Sequence, residues 1–206
     1  QRDLGDMLEL GEGGPVDRVD NQRYQPLCGS TVKWEWSESL RAVRSMEPAH
    51  HLDPRLSALI DDPRLWEPCR ALVGSQELSL FSDKLNMKRP GGAPFPWHQE
   101  SPYWVYGAEQ VERIVSVLVY LDDASVDNGC LWVQPGGHLG PLRERFVRNG
   151  DVAAIETLDA TPWPDLPDAV PVEVSAGSLV VLHGLLPHYS AANRSATSRH
   201  AYTLHA

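Results

Sequence analysis

The spacing of apolar and polar positions changes character near residue 75. Up to that point, regular periodicity is helical where it exists at all. Residues 1–33 are polar, glycine-containing and weakly periodic, which predicts an irregular segment or a lid with little core of its own. Residues 34–46 read as a helix with Ser37 as its cap. A stronger helical stretch follows, in which Leu56, Leu59, Ile60, Leu65, Leu72 and Val73 recur at mostly helical spacing and Gly74 provides a C-terminal stop. Beyond Gly74 the pattern is that of short strands. Residues 77–87 alternate and are followed by the Pro/Gly loop 88–94. The run RIVSVLVYL (113–121) is β-rich and ends in the turn Asp122-Asp123. Shorter candidates lie at 130–134, 170–174, 178–182 and 200–205, separated by turns such as Pro135-Gly136-Gly137 and Ala176-Gly177. Many short strands with this punctuation predict a sandwich or a jelly roll. The expected layout is one domain over 1–206. It has an irregular or helical part at 1–75 and a β core at 76–206. An insertion at 139–170, with the Pro-rich run 161–167, shapes access to a site.

Composition narrows the range of partners. A chain of 206 residues that is 42% hydrophobic has the make-up of a folded domain. Its 18 basic and 28 acidic residues give a formal charge of −10, which argues against nucleic acid or an anionic membrane surface as a partner. The apolar runs are too short to span a bilayer, and no signal peptide is visible. Cys28, Cys69 and Cys130 form an odd, widely spaced set without a CxxC pair. They read as incidental thiols in a reducing compartment, so the expected location is cytoplasmic. No oligomeric state is indicated.

Two stretches carry candidate chemistry. In Trp97-His98-Gln99-Glu100, positions 98 and 100 fall on one face of an extended chain, so an imidazole and a carboxylate can reach one metal. Two histidines and a carboxylate leave part of an octahedron open, an arrangement suited to iron(II) oxygen chemistry. His-x-Glu alone is a weak signal, and a third ligand must come from elsewhere. The second stretch runs GSLVVLHGLLPHYS (177–190) and then to Arg199. His188 follows a buried strand, and Arg199, eleven residues on, can pair bidentately with a dicarboxylate whose other end chelates the metal. Ala201 and Thr203 share the strand face of Arg199 and leave room for a bound acid. Trp97, Tyr103, Trp104 and Tyr106 flank the first motif, as core aromatics or as a substrate wall. His183 and His138 read as packed or turn histidines, and Asp122-Asp123 as a turn.

On these residues the sequence resembles the phytanoyl-CoA dioxygenase family of iron/2-oxoglutarate oxygenases. The matching segments are PWHQESPYW (96–104), VYLDDASVDNGCLWVQPGGH (119–138) and GSLVVLHGLLPHYSAANRSATSRHAYTLH (177–205), in the family's order and approximate spacing. The resemblance implies a mostly β fold, a double-stranded β-helix (jelly roll) with flanking helices. It implies His98, Glu100 and His188 as metal ligands, and Arg199 with Ser190 on the far carboxylate of 2-oxoglutarate. Lys84 and Leu118 would line the cosubstrate pocket, and Trp97, Tyr103 and Trp104 the substrate. The cofactors implied are Fe(II), 2-oxoglutarate and O2. The implied reaction oxidises an unactivated C–H bond of a small, fairly apolar molecule, hydroxylation first, with release of succinate and CO2. Glu100 stands where the family usually carries Asp, one methylene shorter. A catalytically silent binding module and a zinc hydrolase are the rival readings.

Overall fold

A computed structural model describes residues 16–19, 22–35, 42–101, 113–149, 152–157, 166 and 168–206. Fourteen strands are seen among them: β1 Asp17–Val19, β2 Gln22–Leu27, β3 Ser30–Trp34, β4 Val43–Glu47, β5 Ser82–Lys88, β6 Phe95–His98, β7 Val115–Tyr120, β8 Leu131–Val133, β9 Glu144–Asn149, β10 Val152–Thr157, β11 Val170–Val172, β12 Leu179–His183, β13 His188–Ser190 and β14 Arg199–His205. Two helices, α1 (Pro54–Ile60) and α2 (Pro63–Val73), lie between β4 and β5. The strands form a major sheet in the order β1-β2-β3-β4-β5-β14-β7-β12 and a minor sheet in the order β11-β8-β13-β6. The fold is the jelly roll that the resemblance implied.

The two faces of the major sheet explain its sequence. Along β7, Val115, Val117 and Val119 face one way, and join Tyr202 and Leu204 of β14 in a core that includes Leu65, Trp66 and Cys69 of α2. Leu118 and Tyr120 face the other way, toward Leu131 of the minor sheet, Leu182 and Ala201. All six residues of β7 are therefore buried, which is why this stretch reads as a continuous apolar run. By the same parity Arg199, Ala201, Thr203 and His205 of β14 turn toward the minor sheet.

Three expectations need correction. The helix read over 34–46 is not there. Trp34 ends β3 and Val43 begins β4, while Ser37 lies outside the described residues. Residues Val43–Met46 are buried on both faces, and a short run buried on both faces cannot be told from a helix by periodicity. The described part of 1–33 is not a lid but β1, β2 and the start of β3, which extend the major sheet to its edge. The helical stretch from Leu56 is two helices. Asp53 and Asp62 each accept a hydrogen bond from the backbone N–H two residues on, and each is followed by a proline at the first helical position. Gly74 does stop α2, at φ 70°. Within 139–170, β9 and β10 pair with each other as a separate ribbon.

The α1–α2 segment is anchored to the sheet through Asp83. Its buried carboxylate accepts from the N–H groups of Ala49 (2.7 Å) and His50 (2.8 Å), from the His50 ring (2.7 Å) and from the Tyr202 hydroxyl (3.0 Å). Burial pushes this carboxyl toward a higher pKa, but the hydrogen bonds outweigh it and leave the pKa below the ordinary value. A depressed folded-state pKa contributes stability above the unfolded value near 3.9 and loses it as the pH falls through the folded value. Asp83→Asn is therefore expected to be less stable than wild type at neutral pH, with the difference shrinking on acidification below about pH 4. Denaturation midpoints of the two proteins across pH test this. Leu204→Ala, at a position with no exposure, is expected to lose roughly 2–5 kcal/mol in the same assay.

Candidate metal and dicarboxylate site

The site begins with one cross-strand pair. His98 ends β6, His188 starts β13, and the two residues are directly opposite in antiparallel register, with ring centroids 4.2 Å apart. Each ring is held by its own strand. The Nδ1–H of His98 donates to the carbonyl of Pro96 (2.7 Å), and that of His188 to the carbonyl of Leu186 (2.9 Å). A carbonyl can only accept, so Nδ1 carries a proton on both rings and Nε2 is left for the site.

Glu100 completes the group. Its backbone N–H and that of Ser101 both donate to Gly184 O, at 3.0 and 3.1 Å. A Cβ on Gly184 would come within 2.5 Å of Ser101 Oγ and 2.9 Å of Ile114 Cβ, so this close approach needs glycine. Glu100 Oε1 lies 3.2 Å from His188 Nε2 and 3.6 Å from His98 Nε2. Burial opposes its charge, but the contacts with His188 and His98 hold the carboxyl well below the usual carboxylate range. Among the described residues, these three offer ligand atoms within 4.8 Å of one another. With Nδ1 already protonated on both rings, the contact of each Nε2 with the carboxylate oxygen is favourable only when a cation, either a proton on Nε2 or a shared metal ion, lies between them. The donor set thus fits a metal, and the longer side chain of Glu100 reaches both histidines.

The three groups open into a cavity of about 410 Å³ between the sheets. Arg199, Ser190, Leu118 and Lys84 line it with them, so the structure brings these sequence-predicted residues together. Arg199 is buried and its Nη2 donates to Ser190 Oγ at 3.3 Å. Lys84 sits opposite Thr203, and its ammonium pairs with Glu47 at 3.1 Å. Trp97 is not among the lining residues. It packs on Tyr189, with ring centroids 4.5 Å apart, and Tyr189 alternates with the inward-facing His188 and Ser190. Tyr103, Trp104 and Tyr106 lie outside the described residues.

Several lining groups escaped the sequence reading. Lys33 comes from a segment read as irregular and Glu47 directly follows one read as a helix, so their strand parity was invisible. His205 lines the cavity from the end of β14 and hydrogen-bonds Ser116 Oγ at 2.8 Å; its place follows from Arg199 by counting in twos. Lys88 does not line the cavity; it shares a face of β5 with Lys84 and Asn86, which do, and reaches Ser190. The other expected roles are as follows. His183 Nδ1 accepts from Leu185 N–H (3.1 Å) beside the His138 ring. Asp122 and Asp123 accept backbone N–H groups of His200 and Ala176. Among the described residues, no helix is long and apolar enough to cross a membrane.

His188→Ala is expected to weaken manganese(II) binding at least about 100-fold, the effect of losing a ligand of a three-ligand site, with an unchanged far-ultraviolet circular dichroism spectrum. Metal titration followed by electron paramagnetic resonance checks this; retention of affinity within threefold would contradict the assignment.

Comparison with known proteins bears on this geometry. The family model for phytanoyl-CoA dioxygenase matches residues 32–201. Phytanoyl-CoA dioxygenase of Arabidopsis thaliana is 38% identical over 157 residues, covering 76% of this chain and 53% of that protein. Phytanoyl-CoA dioxygenase domain-containing protein 1 of Bos taurus is 35% identical over 160 residues, covering 76% and 54%. The chain thus spans about half the length of these relatives. Among solved structures, the non-heme alpha ketoglutarate dependent carbocyclase SnoK from nogalamycin biosynthesis superposes with a TM-score of 0.67 at 21% identity, covering 98% of this chain and 70% of that one. EctD from S. alaskensis with 2-oxoglutarate and 5-hydroxyectoine gives 0.64 at 24%, covering 80% and 56%. At these identities the two structures show the shared fold.

Proposed function

This chain belongs to the phytanoyl-CoA dioxygenase family, and we propose that it is an iron(II)- and 2-oxoglutarate-dependent oxygenase acting on a small molecule. The observation that carries the reading is that His98, Glu100 and His188 share one cavity with a buried arginine, Arg199. Iron bound by the three side chains supplies the activation of O2, coupled to conversion of 2-oxoglutarate to succinate and CO2 and to oxidation of a substrate C–H bond. The protein's part is position, charge and the exclusion of water. The Nδ1 hydrogen bonds fix both imidazoles with Nε2 presented to the metal. Arg199 would receive the far carboxylate of 2-oxoglutarate, with the Ser190 hydroxyl turning its proton from Gly129 O toward it, and Leu118, Leu131 and Leu182 would keep that end of the cavity dry. We assign the substrate to the remaining lining, where Lys33, Glu47 and Lys84 add charge to an otherwise partly apolar wall. Hydroxylation is the expected outcome. A hydrolase would gain nothing from a buried cation facing a dicarboxylate, which disfavours the zinc reading.

The test is oxygen-dependent succinate formation from 2-oxoglutarate by the iron-loaded protein. Truncating one partner of a buried charge pair costs about 2–5 kcal/mol. Arg199→Leu is therefore expected to raise the half-saturating 2-oxoglutarate concentration by about 30-fold to a few thousand-fold, since 1.4 kcal/mol is tenfold. Succinate formation that is indifferent to Arg199→Leu, or to iron, would contradict the proposal.

A further inference from the structure

Lys88 is the last residue of β5 and stands directly opposite Arg199 of β14. It is a lysine with only 2% of its surface exposed. Its ammonium contacts three oxygens: the carbonyl of Ser190 (3.3 Å), Ser190 Oγ and the carbonyl of Ala191. The chain is shaped around it. Gly129 has φ 79°, and a Cβ there would lie 3.2 Å from the Lys88 nitrogen and 2.5 Å from Ala191 O. Ser190 Oγ donates its proton to Gly129 O (3.1 Å) and accepts from Arg199 Nη2. Three acceptors around Nζ, one of them a hydroxyl whose proton is already committed, call for three N–H donors. A neutral amine has only two.

Charge pulls the other way. Burial, then Arg199 and Arg44, push the Lys88 pKa down to about 6, against weaker support from Glu35 and Cys130. These are the charged and titratable groups facing it: Arg199 from β14, Arg44 from β4, Glu35 just beyond β3 and Cys130 just before β8. Phe95 of β6 presents its ring at 5.2 Å. Glu35 is itself buried and engaged by Arg44 (3.4 Å) and the Ala93 N–H (3.1 Å). Among the described residues, Glu35 is thus the carboxylate set against three cations, Arg44, Arg199 and Lys88. Arg199 Nε, also buried, makes no hydrogen bond. The hydrogen bonds want an ammonium and the electrostatics want an amine. An anion at Arg199 and Ser190 resolves the conflict.

We propose that Lys88 is a positioning residue whose charge is tied to cosubstrate binding: the far carboxylate of 2-oxoglutarate, arriving at Arg199 and Ser190, makes Lys88 take up a proton and lock Ser190 in place. This rests on the cosubstrate reading above. Lys88 is then largely neutral in the free protein above pH 6 and charged in the complex. Proton uptake on binding is near zero well below pH 6 and approaches one proton per 2-oxoglutarate by about pH 7.5.

Anaerobic calorimetry of the iron(II)-loaded protein with 2-oxoglutarate, in buffers of different ionisation enthalpy, counts those protons. The shorter acid 2-oxobutyrate keeps the chelating end but lacks the far carboxylate. Uptake close to one proton with 2-oxoglutarate at pH 7.5, near zero with 2-oxobutyrate, and none with 2-oxoglutarate in Lys88→Met is the expected result. A merely structural lysine would move no protons. Binding of 2-oxoglutarate without uptake, or with equal uptake from both acids, overturns the role of Lys88 alone. Absence of any 2-oxoglutarate binding overturns the cosubstrate reading and this one with it.

Discussion

His98 and His188 face each other across two antiparallel strands, and nearly everything in the site depends on that register. Side chains alternate along a strand, so a slip of one residue would turn one imidazole out of the cavity. Register alone would still leave the rings free to rotate. Each is stopped by a hydrogen bond to the carbonyl two residues before it, which also decides the tautomer. Glu100 then needs only one further constraint, the double hydrogen bond to Gly184 O. The ligand set rests on backbone geometry: strand register, two ring-to-carbonyl hydrogen bonds and the contact at Gly184 O. That economy suits a site that has to keep its donors in place while a substrate and cosubstrate come and go.

The second organising feature is charge without matching counter-charge. Beside the cavity, Arg199, Lys88 and Arg44 gather around Ser190 and Phe95, and among the described residues Glu35 is the carboxylate placed against them. Burying several cations together is costly, and folded proteins accept this cost where a ligand relieves it. The metal ligands have the mirror-image problem: two lone pairs and a carboxylate in need of a cation. One end of the cavity asks for a cation and the other for an anion. We propose that a metal-chelated dicarboxylate meets both demands.

The sequence revealed the site more fully than it revealed the scaffold. His98, Glu100, His188, Ser190 and Arg199 were legible because strand parity and family spacing operate over short segments. The jelly roll was legible because β7 and β14 carry unambiguous strand chemistry. The described strands before α1 were misread for physical reasons. Val43–Met46 is buried on both faces and loses its alternation, and the few apolar residues of β2 and β3, such as Leu27 and Val32, are too sparse to show a strand pattern. Misreading them hid Lys33 and Glu47. Trp97 shows the opposite failure. Proximity in sequence to a metal motif left a core place and a substrate wall equally open, but a strand sends neighbours to opposite faces, and this one packs on Tyr189. Lys88 shares a face with Lys84 and Asn86, yet nothing in its sequence context shows that it is buried against Ser190.

The most direct test of chelation is the visible spectrum of the iron(II)-loaded protein, titrated with 2-oxoglutarate in the absence of oxygen. A weak metal-to-ligand charge-transfer band that saturates with 2-oxoglutarate and is missing in His188→Ala is the expected result. No band at saturating iron and 2-oxoglutarate would contradict the proposal that His98, Glu100 and His188 hold an iron ready to be chelated.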